Sequence, residues 1–129
     1  SLLKKYNGDI IEALMETYHN FLVMMPDEEE RNFLNNAMLY ATHRIENSFI
    51  DMFNSAIDNG YFNDIRALIN TQHLNIKDDK ELLQVMQIIS AVALHNFIEK
   101  TMKKLSDEEA MQIFTAKMNL IKRGIYRQV

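Results

Sequence analysis

Four histidines, His19, His43, His73 and His95, have the widest chemical reach in this chain, since imidazole ligates metals and moves protons near neutral pH. Their spacing serves neither use. No two lie four residues apart on one helix, no His-Glu-x-x-His occurs, and His43-x-x-Glu46 reverses the Glu-x-x-His order of a carboxylate-bridged di-iron bundle. They read as capping, surface or satisfied core residues, with His43 and His95 close enough to apolar stripes to orient a ligand. Cysteine is absent, which excludes disulfides, thiolate nucleophiles and Cys-ligated metals. Gly-x-x-x-x-Gly-Lys, Gly-x-Gly-x-x-Gly and Gly-x-Ser-x-Gly are also absent, so phosphate-loop, dinucleotide and hydrolase-elbow chemistry lack support. The acidic run 27–30 opens a helix, where it suits the dipole better than a single cation. The expectation is no enzyme, no metal and no cofactor.

Methionine is the compositional excess, nine in 129 residues. Met15, Met24, Met25, Met38 and Met52 lie in the first half with Tyr18, Tyr40, Phe49 and Phe53. Flexible, polarizable side chains beside aromatics suit an adaptable apolar cavity, although filling gaps in a core is their plainer use.

The elements that position these residues are helices. At 47% hydrophobic and 25% charged, with three glycines and one proline, the chain is an ordinary folded domain with too few turn residues for a sandwich or barrel. Its net charge of −4 is the wrong sign for gripping a phosphate backbone. Four capping boxes, Asp9/Glu12, Asp27/Glu30, Asp78/Glu81 and Ser106/Glu109, predict four helix starts. The first opens a helix over 10–24, stopped by Pro26; before it, 2–6 reads as the end of a preceding helix closed by Asn7-Gly8. One long helix or two occupy 27–59, and a shorter piece follows with Phe62, Ile65, Leu68 and Ile69 inward. The stretch 82–98 is a buried helix, short of the roughly 20 apolar residues of a membrane span and interrupted by Gln84, Gln87, Ser90, His95 and Asn96. Gly124 serves as left-handed terminator of the last helix, with Ile125 packing back on Leu120. No signal sequence is present and the chain begins with Ser1, so a piece of a longer protein is expected.

The last helix carries two apolar stripes, Met111/Phe114/Met118/Ile121 and Ile113/Ala116/Leu120, and 82–98 is apolar nearly all round. A second copy covers such helices economically, with the final two of each subunit forming a four-helix interface through Leu82, Val85, Ile89, Val92, Ile113, Phe114, Met118 and Ile121. The alternative is a monomeric bundle with 82–98 at its centre.

With Ser106-Asp-Glu-Glu-Ala110, Phe114, Met118 and Ile121-Lys-Arg-Gly-Ile125 ending the chain, and Leu74-Asn-Ile-Lys-Asp78 leading into Leu82-Leu83, the sequence resembles the C-terminal effector-binding and dimerisation domain of the TetR family of bacterial transcriptional regulators. The resemblance spans about 9–126. It implies an all-α bundle of about six helices occupying 1–129 as one domain, homodimeric through its last two helices, with a cavity for a small, mostly apolar effector. It also implies operator DNA contacted only through an N-terminal helix-turn-helix domain missing from these residues; cytoplasm is the default compartment for a chain without cysteine, and no membrane partner is expected. Helical faces nominate Tyr18, Phe21, Met38, Phe49, Met52, Phe53 and Met86 to line the cavity, with His43 or Gln87 to orient the ligand. A helical adaptor without ligand and a metal-binding helical enzyme are the competing readings.

Overall fold

A computed structural model describes residues 2–24 and 61–127, which form five helices and no strand. The all-α expectation holds for these residues; the predicted 27–59 helices and the Asp27/Glu30 box lie outside them. Helix α1 spans Leu2–Lys5 and α2 spans Ile10–Val23. Between them Asn7 (φ 55°) and Gly8 (φ 85°) are left-handed, and the Gly8 N–H donates to Leu3 O at 2.7 Å, closing α1 at the predicted Asn-Gly. Asp9 then caps α2, its Oδ1 accepting from the N–H groups of Ile11 and Glu12.

Helix α3 is a single short element, Tyr61–Arg66. Because it ends before Leu68, that side chain leaves the helical register and is 43% exposed, whereas Phe62 and Ile69 reach the core as expected. Helix α4 runs over Asp79–Lys103, 25 residues against the 17 expected from 82–98. By length and composition alone it could cross a bilayer, which the shorter reading did not allow for. Its inner face nevertheless packs on α2 and α5 and includes Asn96 and Lys100.

Helix α5 spans Asp107–Arg123 and opens with a complete capping box: Ser106 Oγ accepts from Glu109 N–H, and Glu109 Oε1 accepts from Ser106 N–H. The box at Asp78 is only half formed. Asp78 Oδ1 accepts from Glu81 N–H, but the Glu81 carboxylate reaches one residue further back, to Lys77 N–H. At the other end Gly124 takes φ 85°, ψ 161°, an extended conformation open to glycine rather than the left-handed helical one, and turns the chain outward. Ile125 is therefore 90% exposed and does not pack back on Leu120.

The core is the wedge between α2, α4 and α5. Ile10, Ile11, Tyr18 and Leu22 meet Leu82, Met86, Ile89 and Phe97 from one side and Ala110, Phe114 and Met118 from the other. On α4 the inward positions 82, 86, 89, 93, 96 and 100 follow a spacing of three and four residues. Lys122 of α5 pairs with Glu12 of α2, which turns that edge of α5 toward α2.

Candidate functional site

Helix α2 was expected to contribute aromatic lining, and its two nominated aromatics have different surroundings. Tyr18 is buried, its ring tilted against Phe114 with centroids 4.7 Å apart, and its hydroxyl donates to Asn96 Oδ1 at 2.5 Å. The amide continues the chain, Asn96 Nδ2 donating to Ala110 O at 3.1 Å. Next to it the largely buried Lys100 ammonium pairs with Asp107 at 3.2 Å. These groups tie α2, α4 and α5 together by hydrogen bonds in surroundings where an unpaired polar atom is expensive. Tyr18 thus packs within the single chain, its ring against Phe114 and its hydroxyl paired with Asn96. Phe21, one turn on, is 45% exposed and meets Phe97 edge to face at 5.4 Å, leaving ring surface free.

Burial, and secondarily the Asp107 carboxylate, holds the Tyr18 phenol above the ordinary tyrosine value. Because the folded state keeps this proton longer than the unfolded chain, its contribution is fully present below the unfolded value of about 10 and is lost as pH rises beyond it. Alkaline denaturation followed by circular dichroism should show that loss. Tyr18→Phe is expected to remove this part of the pH dependence and, by leaving Asn96 Oδ1 unpaired, to cost about 1–3 kcal/mol at neutral pH. An unchanged alkaline limb would contradict the assignment.

Of the other nominated lining residues, Met86 is a core residue and Gln87 is half-buried on the same helix. Met38, His43, Phe49, Met52 and Phe53 lie outside the described residues. Asn96 is the residue that sequence reasoning missed, having been read as an interruption of an apolar run. Its position in the series 82, 86, 89, 93, 96 would have marked it as interior.

None of the three described histidines joins a potential metal site: among the described residues no group of three or more His, Cys, Asp or Glu side chains converges. His73 lies 3.4 Å from Asp9, His95 lies 3.9 Å from Glu99 one turn along α4, and His19 borders an open groove against α5. That groove, about 740 Å³ and edged by Asp107, Met111 and Thr115, is a surface channel rather than an enclosed chamber.

The nominated interface residues divide into two sets. Leu82, Ile89, Phe114 and Met118 are 0%, 2%, 0% and 0% exposed, buried within the single chain. Val85, Val92 and Ile121 are half-buried against the core, and Ile113 is half-buried. Uncovered apolar surface on α4 and α5 includes residues that were not nominated, Ile88 at 53%, Met102 at 69% and Leu120 at 45% exposed, and Val23 and Met24 at the end of α2 are exposed as well. On α5, Ile113, Ala116 and Leu120 lie across the helix from Lys122, and therefore away from α2. The second apolar stripe is thus the uncovered one.

A family model, the tetracyclin repressor-like C-terminal domain, matches residues 9–125. The chain belongs to that family. No curated protein and no solved structure gives a match. Membership in this TetR-like family makes the chain a regulatory type of domain, in a group that is generally not enzymatic.

Proposed function

We propose that these residues are the ligand-binding and homodimerisation domain of a bacterial TetR-like transcriptional regulator that senses a small, mostly apolar effector. Operator DNA is contacted by an N-terminal helix-turn-helix domain outside these residues, and cytoplasm is the compartment such a regulator works in. The observation that carries the reading is the two-faced pair α4–α5. Its inner stripe is closed by α2, while Ile88, Leu120 and the half-buried Val85, Val92 and Ile113 leave an apolar outer stripe that a second copy would cover. In this arrangement Leu82, Ile89, Phe114 and Met118 support the interface from beneath. The effector cavity is assigned to Phe21, Met38, His43, Phe49, Met52 and Phe53, with Gln87 for orientation and Tyr18 and Met86 packing behind the wall.

Native mass spectrometry beside the denatured mass tests both halves at once. A dimer retaining a small organic molecule supports the proposal, and its excess mass starts to identify the effector. A monomer with no bound species favours the adaptor reading instead, and a stoichiometric metal favours the enzyme. Leu120→Glu, which would bury a carboxylate against the partner, is expected to raise the dimer dissociation constant at least about a hundredfold while leaving helix content unchanged. Sedimentation of the variant as an undiminished dimer would remove α5 from the interface.

A further inference from the structure

Two segments some sixty residues apart in sequence touch by backbone. Asn70 N–H, in the α3–α4 connection, donates to Gly8 O at 2.9 Å in the turn between α1 and α2. The approach is so close that a Cβ at position 8 would lie 2.6 Å from Asn70 N and 2.7 Å from Leu68 O, and Gly8 also holds φ 85°. A second link stands beside the first, His73 Nε2 at 3.4 Å from Asp9 Oδ2, the same carboxylate whose other oxygen caps α2.

The connection that makes these contacts is itself braced. Arg66, the last residue of α3, donates from Nε to Asp79 Oδ1 at 2.7 Å, at the start of α4, and from its guanidinium to Ile69 O at 3.1 Å. Ile69 is buried in the core, Asn70 Oδ1 accepts from Gln72 N–H, and Leu74 N–H donates to Thr71 O. A loop held at both ends and along its length transmits displacement, whereas a slack one absorbs it.

We propose that the α3–α4 connection is a mechanical joint coupling α3 to the direction in which the chain enters α2. Arg66 sets the loop, the loop sets Asn70 and His73, and these set Gly8 and Asp9. A shift of α3 is then passed to α1 and the start of α2 through the loop's backbone contact, in addition to the core contacts of Phe62 and Ile69. Its use in signalling rests on the regulator reading, since α1 is the end nearest the proposed DNA-binding domain; the coupling itself does not.

Amide hydrogen exchange on the whole chain, comparing Arg66→Ala with Lys103→Ala, reads the coupling directly. Lys103 makes a comparably exposed pair with Glu99 at the far end of α4 and serves as control. Arg66→Ala is expected to speed exchange at Asn70, Gly8 and Tyr6 by about tenfold, with the amides of α5 and of α4 beyond its first turn unchanged, and Lys103→Ala is expected to leave all of them alone. Faster exchange confined to 67–79, or uniform acceleration through α4 and α5, would overturn the joint. Neither effector nor dimer is needed, so failure here leaves the regulator reading standing, and a monomeric chain could still pass.

Discussion

Phe114→Ala is expected to destabilise the domain by about 3–5 kcal/mol, lowering the thermal midpoint by on the order of 15 °C. The ring is fully buried, packs on Tyr18 and fills the centre of the wedge between α2, α4 and α5, where α2 and α4 are themselves fixed by the Tyr18–Asn96 hydrogen bond and cannot close over the space. Thermal denaturation at fixed protomer concentration measures this, since an oligomer's midpoint shifts with concentration. The comparison that gives the result its meaning is Ile88→Ala, at a position 53% exposed in the subunit. Where a second copy covers this face, as proposed, its cost should appear in the dimer dissociation constant and hardly in the unfolding of a dissociated chain. If Phe114→Ala proved mild and Ile88→Ala severe in the monomer, the division into inner and outer faces would be reversed.

Gly8→Ala carries the second large effect. Alanine at φ 85° meets the left-handed penalty of about 1–2 kcal/mol. The larger cost comes from the neighbours, because the new methyl would meet backbone atoms of Asn70 and Leu68 rather than the end of a flexible side chain. Relief requires the turn to part from the loop, which gives up the Asn70–Gly8 hydrogen bond as well. A total loss of about 3 kcal/mol is expected, read by chemical denaturation, together with faster amide exchange at Asn70. Gly124→Ala provides a contrast: it shares φ 85° but nothing lies within 4 Å, so it should lose only the conformational part. Equal losses at the two glycines would show that the close approach to Asn70 carries no energy.

Helix existence and most helix ends were legible in the sequence because they are local. Asp9, Asp78 and Ser106 each satisfy backbone donors within three residues, and Asn7-Gly8 supplies the positive φ that ends α1. The two stripes of α5 were also legible, as any pattern with a period near 3.6 is. Which stripe faces the core was not, because both are apolar; only the placement of α2 decides that Phe114 and Met118 turn inward and Leu120 outward. For the same reason four of the residues nominated for an interface, Leu82, Ile89, Phe114 and Met118, are found buried within the single chain.

Polar residues followed a similar rule. Asn96 and Lys100 look like interruptions along the chain, and tertiary packing makes them interior by supplying the Tyr18 hydroxyl, the Ala110 carbonyl and the Asp107 carboxylate. Gly8 could be placed in a turn from its neighbours alone, but its contact with Asn70 depends on a partner some sixty residues away. By itself the sequence determined the helical class, the N-cap residues and the family resemblance, all of which rest on short-range spacing. Tertiary structure alone decided which apolar face is buried, which polar groups are paired and where the chain's entry is fastened, because each of these depends on atoms that only folding brings together.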